Sequence, residues 1–204
     1  MVADQIASRG ITRPALLDAM RRLPRHAFMP AEIAEAAYED HALPIGCTQT
    51  ISQPYMVAIM TDVLAPEPGW KVLEVGTGSG YQAGILALMG AEVWTVERLA
   101  TLAVRAQALL TRLGVTNVRH RVGDGTLGWP EEAPFDGIIV TAGAPRVPES
   151  LKQQLAGGGR LVIPTGSHGM QELLAVERRG DAFEERRHGA CAFVPLVGEE
   201  GWNR

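Results

Sequence analysis

The run Val72-Leu73-Glu74-Val75-Gly76-Thr77-Gly78-Ser79-Gly80, followed by Tyr81-Gln82-Ala83-Gly84-Ile85-Leu86-Ala87, constrains this chain more than any other stretch. A short apolar run, a turn with glycine at every second position and then a helical pattern describe a buried parallel strand that enters a helix through a tight loop. Glycines in such a loop let backbone approach a ligand closely. The helix behind them points free N–H groups and its positive dipole end at whatever is bound. A second run, Glu92-Val93-Trp94-Thr95-Val96, ends on Glu97, at the distance where a nucleotide-binding fold places an acid to hold ribose hydroxyls.

The glycines also discriminate between ligands. Gly76, Gly78 and Gly80 read G-x-G-x-G, with Gly84 one turn into the helix, whereas the dinucleotide fingerprint is G-x-G-x-x-G. That spacing leans toward S-adenosylmethionine over NAD, and the absence of G-x-x-x-x-G-K-[ST] argues against a nucleoside triphosphate. A strand-to-helix turn that holds no ligand is the bland alternative, and Glu97 weighs against it.

A chain of 204 residues with 46% hydrophobic content can bury one good core. We expect a single domain: a helical extension and substrate-side loop over residues 1–50, a cofactor-binding core over 51–165 and a C-terminal hairpin over 166–204. A net charge of −4 gives no electrostatic case for nucleic acid as a partner. Cys47 and Cys191 are far apart and in no C-x-x-C frame, so neither a disulfide scaffold nor a zinc site is indicated. Without a signal-like N-terminus or an apolar run of spanning length, the expectation is a soluble cytoplasmic monomer with no membrane partner.

Along the chain, Thr12 can cap a helix opened by Pro14, with Leu16, Leu17, Met20 and Leu23 on one face, and Ala31 to Ala37 can form a second short helix. His26 and His41 have no carboxylate or metal partner in frame and read as structural or solvated. Residues 38–56 read as a long loop, of the kind that tends to be functional in a compact domain. Within it, Ser52 stands where an N-cap belongs for a helix bearing Met56, Val57, Met60, Val63 and Leu64; the cap reading and a functional one stay open together. Arg98 to Leu113 reads as an amphipathic helix with Leu99, Leu102, Ala106, Leu109 and Leu113 inward. Asn117 to Val122 reads as the third strand, ending in Gly123-Asp124-Gly125, where an Asp-Gly turn competes with a ligand contact at the carboxyl end of the sheet. Phe135 to Thr141 is the fourth strand, followed by the small-residue loop Ala142-Gly143-Ala144-Pro145. Pro148 to Leu155 reads as a helix stopped by Gly157-Gly158-Gly159, and Arg160 to Pro164 as the fifth strand. Leu173 to Glu177 and Ala190 to Val197 read as a hairpin pair, with Glu184, Glu185, Arg186 and Arg187 as a solvated face. The alternation gives a mostly parallel, doubly wound sheet finished by an antiparallel strand.

Taken together these segments resemble the protein-L-isoaspartate O-methyltransferase family. The resemblance rests on Leu43-Pro44-Ile45-Gly46, Gln49-Thr50-Ile51-Ser52-Gln53-Pro54-Tyr55-Met56, the glycine-loop run through Gln82, Gly123-Asp124-Gly125, Ala133-Pro134-Phe135-Asp136 with Ile138-Ile139-Val140-Thr141, Gly158-Gly159-Arg160-Leu161-Val162-Ile163-Pro164 and Phe193-Val194-Pro195-Leu196, in family order. The glycine loop is shared by many methyltransferases, whereas Thr-Ile-Ser-Gln-Pro is close to diagnostic. The resemblance implies an α/β, Rossmann-like class I methyltransferase fold with a seven-stranded sheet, one antiparallel strand and an N-terminal helical extension. It implies S-adenosylmethionine as methyl donor and, as partners, damaged proteins carrying L-isoaspartyl residues, whose methyl ester closes to a succinimide that reopens partly to aspartate.

Carried over position by position, the resemblance makes Ser52 the hydroxyl at the reaction centre. Glu74 with Gly76, Thr77, Gly78, Ser79 and Gly80 would hold the methionine side of the cofactor, Glu97 and Arg98 the ribose side, and Asp124 with Gly125 the adenine. Thr50, Ile51, Gln53, Thr141, Ala142 and Val194 would border the substrate. No metal is implied. The family often has glycine or a small polar residue at the Cys47 position, and some members have histidine near the cofactor where this chain has Val57. A related carboxyl methyltransferase acting on another peptide is the alternative.

Overall fold

The computed structural model describes residues 1–203. After short turns at Val2–Ile6 and Ala7–Arg9 come helix α1 (Pro14–Arg22) and 3-10 segments at Arg25–Phe28 and Ala31–Tyr38. Next are strands β1 (Leu43–Gly46) and β2 (Gln49–Ile51), then α2 (Pro54–Leu64), β3 (Lys71–Val75), α3 (Tyr81–Leu88), β4 (Glu92–Glu97) and α4 (Ala100–Arg112). The chain continues through β5 (Val118–Val122), β6 (Phe135–Val140), α5 (Glu149–Gln153), β7 (Leu155–Ser167), β8 (Met170–Arg179) and β9 (Ala182–Cys191).

Seven strands form one sheet in the order β5-β4-β3-β6-β7-β8-β9. All adjacent pairs from β5 to β7 are parallel, and β8 is antiparallel to both neighbours. β3 and β6 read as near-continuous apolar runs because both faces are covered, as parallel sheets require. Val72 belongs to the core built with α1 to α4, while Leu73 and Val75 face the second core with Phe135, Ile138 and Leu151. The chain leaves β3 toward β4 and β5, then returns to β6 on the other side. The carboxyl ends of β3 and β6 therefore flank the topological switch point, where ligands of open α/β sheets bind.

Several local expectations are corrected. Arg13, not Thr12, occupies the N-cap of α1, with no side-chain cap. Residues 38–56 are not an unstructured loop: β1 and β2 form an antiparallel hairpin whose two-residue turn, Cys47-Thr48, has φ of 52° and 57°. Ser52 is not a helix cap, since α2 starts at Pro54 with Gln53 at the N-cap, and the Asp40 carboxylate accepts from Tyr55 N at 2.9 Å. In α4 the fully buried positions are Leu102, Ala103, Ala106 and Leu110, while Leu99, Leu109 and Leu113 are half-buried. The helix expected up to Leu155 ends at Gln153, and β7 already pairs with β6 at Leu155, taking the three glycines into the strand. Gly159 shows why: a Cβ there would lie 3.0 Å from the carbonyl oxygens of Phe135, Asp136 and Ala156. The hairpin partner of β8 is Ala182–Cys191 rather than Ala190 to Val197, so Glu184 to Arg187 lie along an exposed edge strand. The antiparallel strand is the sixth of seven, not the last.

Candidate active site

A cleft opens at the switch point, floored by the glycine loop between β3 and α3. Gly76 and Gly78 have φ of 93° and 52°, a left-handed backbone that glycine adopts without strain. Space is equally decisive at Gly76, where a Cβ would come within 2.6 Å of Thr141 Oγ1. The Thr141 hydroxyl donates to Gly76 O at 2.6 Å and so ties the end of β6 to the loop. Gly125 lines the cleft beside Val75, where a Cβ would meet Val75 Cγ1 at 2.5 Å.

Glu97 ends β4 at the cleft wall. Its Oε2 accepts from Gly78 N and its Oε1 from Leu99 N, both at 2.9 Å. The carboxylate is thereby fixed by two backbone donors, and each oxygen keeps a lone pair for a ligand. Arg98 and Ser79 line the same cleft; Ser79 Oγ accepts from Tyr81 N at 3.3 Å.

The opposite wall comes from β2 and the residues after β9. Thr50, Ile51 and Ser52 line the cleft together with Ala142 and Val194 to Val197. A second hollow adjoins it, bounded by Arg9, Gln53, Tyr55, Cys191 and Phe193, and Thr50, Ser52, Thr141 and Val194 line both. Ser52 thus stands at the junction of two hollows, released from helix capping.

Three expected residues do not line the cleft, and Gln53 lines only the second hollow. Gly80 supports the loop from behind, 3.1 Å (as a Cβ) from Ala106 Cβ. The Asp124 side chain is engaged within the fold: Oδ1 accepts from Thr126 N and Oγ1 at 2.9 and 2.7 Å, and Oδ2 accepts from Glu199 N at 2.8 Å. Glu74 is fully buried, and burial pushes its carboxyl up to about 8. Residues not foreseen as lining include Tyr81, Gln82, Val96, Val57 and Pro195 to Val197. Pro195 and Leu196 were visible in a family-like motif, but nothing local indicated that they fold back over the cleft. Among the described residues no group of three or more His, Cys, Asp or Glu side chains could hold a metal, and no helix is long and apolar enough to cross a membrane.

The family model for protein-L-isoaspartate(D-aspartate) O-methyltransferase matches residues 1–201. The chain belongs to this protein-L-isoaspartate O-methyltransferase family. A Trichlorobacter lovleyi protein-L-isoaspartate O-methyltransferase is 54% identical over 203 residues, covering 99% of this chain and 94% of that protein. One from Methylorubrum populi is 57% identical over 198 residues, covering 97% and 93%. A solved protein-L-isoaspartate O-methyltransferase superposes with a TM-score of 0.86 at 27% identity; the match covers 96% of this chain and 64% of that one. A Plasmodium falciparum protein-L-isoaspartate O-methyltransferase, solved with S-adenosyl-L-homocysteine, gives 0.82 at 26% identity with 96% of each chain covered. The fold is therefore that of the family's class I methyltransferases, with the sheet order and single antiparallel strand described above.

Proposed function

We propose that this chain transfers a methyl group from S-adenosylmethionine to the free α-carboxylate of L-isoaspartyl residues in proteins and peptides. The observation that carries the reading is the position of Ser52, whose residue borders both the glycine-floored cleft and the second hollow. The cleft fits such a donor: Glu97 is pre-oriented for a pair of ribose hydroxyls, and at Gly76 and Gly125 even a methyl group would clash with the site's own walls.

S-adenosylmethionine supplies a methyl group on a sulfonium, already activated for transfer. The acceptor, a carboxylate with an ordinary pKa near 4, is ionised at neutral pH, so no general base is required. Ser52 donates a hydrogen bond to one carboxylate oxygen and leaves the other free to attack. Gly76, Thr77 and Gly78 with Glu97 hold the donor side, while Thr50, Ile51, Gln53, Thr141, Ala142 and Val194 border the acceptor. Fixing both partners in line supplies up to about 7–11 kcal/mol of the barrier reduction. The apolar walls from Val57, Val75, Val96 and Leu196 exclude water, which favours a step in which opposite charges cancel. The chain works on this reading as a soluble cytoplasmic monomer, with isoaspartyl proteins as partners and without nucleic acid.

The test is methyl transfer to two peptides of one sequence, carrying L-isoaspartate or L-aspartate at a single position. Base-labile label on the isoaspartyl peptide alone is the expected result. Label on neither, with S-adenosylhomocysteine bound normally, would move the substrate elsewhere. In the same assay Ser52→Ala should lower kcat at least about tenfold while leaving S-adenosylhomocysteine affinity near wild type; an unchanged kcat removes Ser52 from the chemistry.

A further inference from the structure

The mechanism above leaves Glu74 without a task, although it is a fully buried acid directly beneath the cleft loop. It sits opposite Thr95 in the β3–β4 register, and its Oε2 shares a hydrogen bond with Thr95 Oγ1. Thr95 Oγ1 lies 2.6 Å from Thr77 Oγ1, and Thr77 lines the cleft. The other carboxyl oxygen, Oε1, has no side-chain or backbone partner. Glu74, Thr95 and Thr77 thus form a continuous chain from the core to the ligand surface, all three buried.

Each hydroxyl carries one proton, so such a chain has a direction. An ionised Glu74 can only accept. Thr95 must then donate to it, Thr77 must donate to Thr95, and Thr77 shows the cleft lone pairs alone. A neutral Glu74 with its proton on Oε2 donates to Thr95, Thr95 donates to Thr77, and the Thr77 proton is released toward the cleft.

We propose that Glu74 is a positioning residue which, by retaining its proton, turns the Thr95–Thr77 chain outward and makes Thr77 a hydrogen-bond donor to an acceptor oxygen of the bound nucleoside amino acid. The inference rests on the cofactor reading given above and deepens it. An oxygen of the amino-acid carboxylate is the chemical class that such a donor serves.

The surroundings favour the neutral form. Burial in a two-sided core is the leading cause. From β4 the Glu97 carboxylate adds a like charge, and from β6 the register partner Ile139 adds none. The Thr95 hydroxyl favours the ionised form, as does, more weakly, the Ala83 backbone N–H of α3, which makes no hydrogen bond to the carboxyl, and neither offsets burial. Tyr81, also on α3, is held as the neutral phenol by its own burial.

The experiment is S-adenosylhomocysteine affinity by calorimetry between pH 6 and 9.5 for wild type, Glu74→Gln, Thr77→Val and Thr77→Ser. The glutamine amide donates to Thr95 at every pH, so Glu74→Gln should hold its neutral-pH affinity to the alkaline end, whereas wild type should weaken steadily above about pH 8. The ligand's own ionisation affects both proteins alike and cancels in the comparison. Thr77→Val should bind about fivefold or more weakly at pH 7, and Thr77→Ser should restore both affinity and pH profile. Parallel profiles for wild type and Glu74→Gln, or wild-type affinity in Thr77→Val, overturn the inference while leaving the cofactor reading intact. Absence of binding by wild type at every pH overturns both.

Discussion

Glu97 and Glu74 are two acids about one β-strand apart with opposite fates, and the difference comes from what surrounds each carboxyl. Glu97 receives two backbone N–H groups at the mouth of the cleft. Replacing it with alanine strips Gly78 and Leu99 of their acceptors as well as removing the ribose contact proposed for it. Glu97→Ala should weaken S-adenosylhomocysteine binding by roughly 1–3 kcal/mol; titration calorimetry returning wild-type affinity would remove Glu97 from the cofactor site. Glu74 has no such compensation, and its folded pKa, about 8, stands above its ordinary value of 4.5. Folding therefore takes up a proton in that interval. The stability this contributes is complete below about pH 4.5 and is lost as pH rises through about 8. Glu74→Gln should accordingly unfold at a higher temperature than wild type at pH 8 to 9, with the gap shrinking toward pH 5; a gap independent of pH would mean that Glu74 does not carry its proton in the folded state. At this scale the sequence was generous with identities and poor with orientation. Gly76, Thr77, Gly78, Glu97 and Ser52 were all legible from spacing or motif. That the Asp124 and Glu74 side chains do not line the cleft was not, because partners distant in sequence decide it: Thr95 on β4 takes Glu74, and Glu199 N takes Asp124 from 75 positions on.

Strands β1 and β2 show how a local rule can be broken by its setting. Two-residue hairpin turns of type I′ demand positive φ at both positions and so favour Asn-Gly or Gly-Gly, but Cys47 and Thr48 fill them here at 52° and 57°. The usual hairpin signal is absent here, and the long polar, glycine-containing run over residues 38–56 read as loop. Tertiary contact supplies what turn chemistry does not: Ile45 and Ile51 are buried in the main core. A left-handed conformation costs a non-glycine residue about 1–2 kcal/mol, and glycine's extra backbone entropy returns about half of that. Thr48→Gly should stabilise the protein by roughly 0.5–1 kcal/mol in urea unfolding and leave methyl transfer unchanged; a loss of stability would show that the Thr48 hydroxyl bond to Cys47 O outweighs the strain. The cap of α2 teaches the same lesson. The donor at Tyr55 N is satisfied by Asp40, 15 positions back, and no window placed around Ser52 could have exposed that.

At the scale of the whole molecule the segment after β9 closes the structure. It runs past Gly143, where Leu196 N donates to Gly143 O and Gly143 N to Val194 O, both at 2.8 Å. Farther on, Glu199 N reaches Asp124, Glu200 N reaches Thr126 Oγ1 at 3.1 Å, and Ser150 N donates to the Glu200 carboxylate at 3.1 Å. These contacts join positions 50 to 75 residues apart, so the strap follows from the assembled sheet rather than from any periodicity in its own residues. Trp202 is its fastening. The indole N–H donates to Gly143 O at 3.0 Å, the backbone N–H donates to Leu196 O at 2.7 Å, and the ring lies against His168 with centroids 3.9 Å apart. Because Val194 to Val197 form one wall of the cleft, loosening the fastening should widen the cleft without touching the glycine loop or Ser52. Trp202→Ala is therefore expected to speed amide exchange at Leu196 and Gly143 and to weaken S-adenosylhomocysteine binding by about 1–2 kcal/mol. Trp202→Phe, which keeps the ring but lacks the donor, should fall between that variant and wild type. Exchange rates and affinity both equal to wild type in Trp202→Ala would mean that the wall is held by its Gly143 contacts alone, and that the strap is a passenger on the fold.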